Sequence, residues 1–140
     1  MIKLVIIDFD DTLSLTEEIV FHIENYIAEK MGYKTMSRIA HQKNWGLPLK
    51  NAIVERIPGI DANEFMKLYS QVFPNFVKEG KMDVVSDENL ETLKRIKHMG
   101  KHLTILTSRT FNEVKHLLDK KHIINKYIEK NLLYGCYGVP

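Results

Sequence analysis

Two carboxylates, Asp8 and Asp10, lie two residues apart directly after an apolar run near the start of the chain. If that run is a strand and its geometry continues, both side chains point to the same side beyond its end. Carboxylates held together repel each other, and an oxygen-seeking cation such as Mg²⁺ relieves that repulsion. One carboxylate could then attack a phosphorus atom while the other transfers a proton. The same acids could equally form a turn that ends the strand.

A second polar group, Thr107, Ser108 and Arg109, follows another apolar run. A hydroxyl and free backbone N–H groups between a strand and the next helix can bind an anion such as phosphate. Taken alone, Thr107 and Ser108 are more simply explained as caps of the helix that is expected near Thr110. Arg109 could reach an anionic group of a substrate or pair with a surface acid, so it is not assigned to the site.

Hydrophobic periodicity predicts the elements that must position these residues. The apolar runs at 2–7 and 102–106 suit strands that are covered on both faces, and a third strand is expected around 132–134. Ser14 and Glu17 have the spacing of a capping box at the start of the first helix. Apolar spacing with start and stop signals predicts helices at about 15–31, 36–43, 48–56, 62–79 and 87–99, and another from Thr110.

This order of elements predicts an α/β fold with a doubly wound parallel sheet. Residues 1–13 and 83–140 would form the core, and residues 14–82 would form an inserted, all-helical cap. Ligands bind outside the carboxyl ends of the strands in such sheets, so the polar groups after both strands are expected at one edge.

The string Asp8-Phe9-Asp10-Asp11-Thr12-Leu13 resembles the first motif of the haloacid dehalogenase (HAD) superfamily, and the strand ending in Thr107 resembles the second. The resemblance implies a Rossmann-like HAD core and a Mg²⁺-dependent phosphatase that hydrolyses a small phosphomonoester through an aspartyl-phosphate intermediate. It also implies residue roles. Asp8 would be the nucleophile and a metal ligand, Asp10 the general acid/base that binds the metal through its backbone carbonyl, and Thr107 with Ser108 the phosphoryl-binding residues.

The segment from Trp45 to Lys50 resembles the G-x-P-L segment of helical caps in the phosphoglycolate phosphatase and β-phosphoglucomutase subgroup. Lys50 is therefore a candidate to face the substrate, and an exposed lysine at a helix start is at least as common an explanation. The subgroup leaves two reactions open. The aspartyl phosphate is either hydrolysed or passed back to the substrate, as in a phosphosugar mutase.

The third and fourth HAD motifs are not visible in the sequence. These are a lysine in a K-P segment and a strand that ends in paired acids and completes the Mg²⁺ site. The chain therefore looks C-terminally incomplete, its own activity is open, and a non-catalytic remnant that binds Mg²⁺ or phosphate stays an alternative. A parallel sheet without its later strands would be partly bare, so we expect low stability, self-association or a borrowed partner.

The composition, 44% hydrophobic and 27% charged, is that of a globular chain. A net charge of +2 with interleaved signs does not indicate nucleic-acid or membrane binding, and the expected partner is a small phosphorylated metabolite. The single Cys136 cannot form an internal disulfide, and no signal-peptide pattern is seen, which predicts a cytoplasmic location. The histidines have no zinc-ligand spacing.

Overall fold

The computed structural model describes residues 2–128 and the backbone of residues 133–137. The chain divides into two compact units, Met1–Leu15 with Val85–Pro140, and Thr16–Val84. Each boundary lies two residues beyond the division drawn from the sequence. In chain order the elements are β1 (Leu4–Asp8), α1 (Glu17–Lys30), α2 (Arg38–Gln42), α3 (Leu49–Arg56), α4 (Ala62–Lys78), α5 (Asp87–His98), β2 (His102–Thr110), α6 (Phe111–Val114) and β3 (Leu133–Tyr137).

The sheet belongs to the first unit and is parallel, with the strand order β1-β2-β3. β1 and β2 pair in register from Leu4 opposite His102 to Asp8 opposite Leu106, so the two strands end at the same edge. The predicted α/β fold with a parallel sheet is confirmed. The third strand is also present, although Leu132, where we expected it to begin, lies outside the described residues.

One face of this sheet carries the core of the first unit. Leu103 and Ile105 of β2 are fully buried and belong to one cluster with Leu93 of α5 and Val114 of α6. The opposite face of β1 is different, because Ile6 is 60% exposed. Within the described residues, the expectation that β1 is covered on both faces is therefore wrong.

The second unit contains helices α1 to α4, and its core is the apolar faces of α1 and α4. The fully or nearly fully buried side chains include Ile23, Ile27, Phe65, Tyr69 and Phe73. The predicted positions of the first five helices agree with the observed ones to within two residues. No helix in the described part of the chain is long and apolar enough to cross a membrane.

Two local predictions were wrong. Ser14 does not begin the first helix: it is buried and bridges Asp10 and Val85, while α1 begins at Glu17 with Thr16 as its N-cap. The helix expected after β2 is only four residues long, and two short 3-10 turns follow it. Tertiary packing overrides helical periodicity there, because these turns bury Leu117 and Ile124 in the core.

Candidate active site at the carboxyl ends of the strands

A tight turn follows β1 and determines where its acids lie. The carbonyl of Phe9 accepts hydrogen bonds from the N–H groups of Leu13 at 3.0 Å and Ser14 at 3.1 Å. Asp11 has a positive φ of 54°, a conformation that aspartate tolerates better than most residues. Phe9 is fully buried, which leaves Asp8 and Asp10 on either side of an apolar anchor at the end of the sheet.

Asp8, at the last position of β1, is exposed. Thr12 turns back through this loop, and its Oγ1 donates a hydrogen bond of 2.9 Å to Asp8 Oδ2. The bond fixes one carboxylate oxygen and so restricts the rotation of the side chain. Thr12 is part of the sequence motif, and the structure supplies a reason for a hydroxyl at this position.

Asp10 is half-buried and faces residues at the end of β2. The Nε of Arg109 lies 3.1 Å from both carboxylate oxygens of Asp10, and Nη2 makes a second, shorter contact with Oδ1. Thr107 Oγ1 lies 3.5 Å from Asp10 Oδ2, and it accepts a hydrogen bond of 3.2 Å from the backbone N–H of Arg109. Asp10 and Thr107, which are 97 residues apart in sequence, are thus brought together.

The end of β2 is irregular in the segment that contains Ser108 and Arg109. The register between β2 and β3 shifts between Thr107 and Thr110, and such bulges redirect side chains at the ends of strands. Ser108 lies in this irregular segment and is half-buried. Glu113 Oε2 accepts a hydrogen bond of 2.8 Å from the backbone N–H of Thr110 and so caps the start of α6.

Because α6 is short, the groups that could bind an anion differ from those expected. A helix of four residues has a weak dipole, so the expectation that the positive end of a helix attracts phosphate is not supported. The groups that remain at this strand end are the buried hydroxyl of Thr107, Ser108 and the guanidinium of Arg109. The sequence alone did not assign Arg109 to the site. Only its position directly after Thr107 and Ser108 indicated that it could belong there.

Asn89, near the start of α5, binds the loop that follows β1. Its Nδ2 donates to the carbonyl oxygens of Thr12 at 3.1 Å and Leu13 at 3.0 Å. The backbone N–H of Asn89 in turn donates to Ser86 Oγ, the cap of this helix, at 3.2 Å. The loop that carries both acids is therefore attached to a helix of the same unit, a link that no motif in the sequence indicated.

A comparison with known families identifies the family of the chain. The family described as haloacid dehalogenase-like hydrolase matches residues 5–132 of the sequence. The chain belongs to this family. The match spans both strand-end groups, Asp8 with Asp10 and Thr107 with Ser108, in the order that the HAD motifs require.

Solved HAD structures share the fold at low sequence identity. CbbY from Rhodobacter sphaeroides, in complex with phosphate or with xylulose-(1,5)bisphosphate, has a TM-score of 0.76 at 16% identity, over 100% of this chain and 66% of that one. A Lactobacillus plantarum protein assigned as a phosphoglycolate phosphatase has a TM-score of 0.75 at 18% identity, over 100% and 65%. The chain thus spans about two thirds of the length of these proteins. No curated protein matches it.

Lys50, the candidate substrate residue of the helical unit, is the second residue of α3 and is exposed. Its neighbour Pro48 is the N-cap of this helix. The position agrees with a lysine at a helix start, and a role of Lys50 in substrate binding stays a prediction.

The donor groups at the end of β1 suit the Mg²⁺ that HAD enzymes generally use. Asp8 presents an exposed carboxylate, and Asp10 has a backbone carbonyl in the following turn; both are hard oxygen donors. Among the described residues, no group of three or more His, Cys, Asp or Glu side chains could hold a metal. Mg²⁺ commonly binds through one or two carboxylates, substrate phosphate and water, so these residues fit it as part of a ligand set.

Proposed function

We propose that this chain carries the nucleophile and the general acid/base of a Mg²⁺-dependent phosphatase that acts on a small phosphomonoester. The observation that carries the proposal is the convergence of Asp8, Asp10 and Thr107 at one edge of the parallel sheet. Ligand sites of α/β sheets lie at this edge. Membership of a hydrolase family supports the reaction class.

In the proposed mechanism, an oxygen of Asp8 attacks the phosphorus atom and the bond between phosphorus and the leaving oxygen breaks. Asp10 gives a proton to the leaving oxygen as the alcohol departs, which leaves an aspartyl phosphate on Asp8. Asp10 then takes a proton from water as the water attacks the phosphorus. Inorganic phosphate leaves, and the carboxylate of Asp8 is restored.

Other residues of the chain bind and orient the substrate. The hydroxyl of Thr107, with Ser108 beside it, would donate hydrogen bonds to the phosphoryl oxygens. The carboxylate of Asp8 and the backbone carbonyl of Asp10 would hold Mg²⁺, which supplies positive charge to the phosphoryl oxygens. Lys50 of α3 is proposed as a further substrate-binding residue, because of its place in the segment from Trp45 to Lys50.

The proposed substrate is a small phosphorylated metabolite. Support comes from CbbY, which has been crystallised with phosphate and with a sugar bisphosphate. The even distribution of charge gives no reason to propose a nucleic acid or a membrane as partner. A cytoplasmic location also stays a proposal, based on the single cysteine.

The experiment that tests the function is phosphate release from phosphoglycolate in the presence of Mg²⁺. Asp8→Asn should lower the rate by at least roughly 10³-fold, because an amide is a poor nucleophile. Asp11→Asn is the matched control: Asp11 is an exposed neighbour with positive φ, which asparagine also tolerates, and its rate should stay within about twofold.

Two results would contradict the assignment. An Asp8→Asn variant that keeps the wild-type rate would exclude Asp8 as nucleophile. With a sugar phosphate as the substrate, an isomerised product without released inorganic phosphate would identify a mutase, since only hydrolysis releases phosphate.

A further inference from the structure

The acids at the end of β1 raise a question of charge. Asp8 and Asp10 are both carboxylates on one short turn, and a cation is needed to relieve their repulsion. For Asp10 the protein itself supplies that cation. The Arg109 guanidinium contacts both Asp10 oxygens through Nε and Nη2, the two-point geometry in which arginine binds a carboxylate most strongly.

The Arg109 side chain is held in this position from several directions. It is only 9% exposed, and Asp10 is 20% exposed, so solvent screens the pair less than it screens a surface pair. The centre of the guanidinium lies 5.2 Å from the ring of the fully buried Phe9, a cation–π distance. The backbone N–H of Arg109 is bound to Thr107 Oγ1 at 3.2 Å.

We propose that, in the substrate-free protein, Arg109 is the internal counter-cation of the ionised Asp10 carboxylate and a positioning residue of the site. It prevents the Asp10 side chain from binding the metal, so that Asp8 supplies the side-chain carboxylate ligand. The inference rests on the metal site of the proposed function, and it does not depend on turnover.

The direction in which the affinity for a divalent cation changes distinguishes this role from a merely structural one. Removing the Arg109 charge takes a positive charge away from the metal site and frees the Asp10 carboxylate to act as a ligand. Both changes make a divalent cation bind more tightly. Local damage to the loop would have the opposite effect, because a disordered site binds metal more weakly.

The test is the affinity for Mn²⁺, measured on the full chain by the electron paramagnetic resonance signal of the free ion. Arg109→Gln should bind Mn²⁺ roughly five- to tenfold more tightly than the wild type. Arg109→Lys keeps the charge but not the two-point contact with Asp10, so its affinity should lie between those of the wild type and Arg109→Gln. Arg95→Gln, an exposed arginine on α5, controls for net charge and should also stay within about twofold.

The double variant Asp10→Asn/Arg109→Gln should lose the gain, because the freed ligand is then absent. Equal or weaker Mn²⁺ binding by Arg109→Gln, or a gain that survives Asp10→Asn, would overturn the inference. A failed phosphatase assay would leave the Mn²⁺ result standing, so the two failures are distinguishable.

If Arg109→Gln does not fold, the wild-type protein decides the question. In ¹⁵N spectra, the Nε–H signal of Arg109 should keep its position and its protection from exchange when Mg²⁺ is added, because the pair with Asp10 persists. Loss of that protection on metal binding would overturn the inference.

Discussion

Neighbouring donors orient each of the two proposed catalytic carboxylates. Thr12 donates to Asp8, and Arg109 with Thr107 holds Asp10. A carboxylate that is held in one rotamer does not lose that freedom again when substrate binds, which is how positioning lowers a barrier. The hydroxyl of Thr12 therefore contributes to the site although it does not meet the substrate in the proposed mechanism.

Thr12→Val should slow phosphate release by about tenfold, the equivalent of the roughly 1–1.5 kcal/mol of one hydrogen bond. The change should appear mainly in kcat, because Thr12 orients the nucleophile and makes no proposed contact with substrate. Thr12→Ser keeps the hydroxyl and should retain most of the rate. An equal loss in both variants, measured by steady-state kinetics, would show that the methyl group matters and not the hydrogen bond.

The sequence predicts part of this residue-scale arrangement. Asp8 and Thr107 lie at the same edge of the sheet because parallel strands end there, which follows from two apolar runs and their order. The pair between Asp10 and Arg109 joins residues 99 apart, and Arg109 lies in the irregular end of β2. No local pattern predicts such a bulge, so the partner of Asp10 could not be named from sequence.

At the scale of elements, the helical unit is joined by a buried network of polar side chains as well as by its apolar core. Glu24 of α1 is fully buried, and both its oxygens accept from Arg56 Nη1 of α3 at 2.7 Å. His41 of α2 is also fully buried: its Nδ1 lies 2.7 Å from Glu17 Oε1, and its Nε2 lies 3.5 Å from Glu24 Oε1. The last contact is an ion-pair distance without hydrogen-bond geometry. Three helices therefore share one buried polar network.

Glu24→Gln should lower the free energy of unfolding by about 3 kcal/mol, because the buried Arg56 loses its compensating charge. Urea denaturation measures the loss. Glu18→Gln is the control on the same helix: its side chain is 74% exposed, and a change within about 0.5 kcal/mol is expected. Similar small effects in both variants would show that the buried pair contributes little to stability.

Helix positions were easier to predict than helix ends. Apolar spacing located α1, α3, α4 and α5 because each buries an apolar face that is visible in the sequence, whereas the buried residue of α2 is His41. The capping box at Ser14 failed for a reason outside the local sequence: Glu17 binds Arg38 at 2.5 Å and His41 at 2.7 Å instead of turning back. Long-range charges were stronger than the local pattern.

At the scale of the whole molecule, the first unit leaves apolar surface on one face of its sheet. Leu4, Ile6 and Leu106 are large hydrophobic residues that are exposed there. Parallel sheets usually cover both faces, and a bare apolar face favours association. The chain spans about two thirds of the solved structures that share its fold.

We expect the chain to self-associate through this face as its concentration rises. Ile6→Lys should shift the sedimentation velocity distribution toward the monomer, because it places a charge on the apolar face. Ile39→Lys introduces the same charge at an exposed residue of α2, in the second unit, and should not do so. A wild-type chain that stays monomeric at every concentration would contradict the expectation.

The central claim is that Asp8 becomes phosphorylated, and the most direct test is to locate the acyl phosphate. The protein is incubated with Mg²⁺ and acetyl phosphate, reduced with borohydride, and digested for mass spectrometry. An aspartyl phosphate at Asp8 predicts homoserine at position 8 in the wild type and no such product in Asp8→Asn. A reduced residue at Asp10 or Asp11, or a product that persists in Asp8→Asn, would contradict the account.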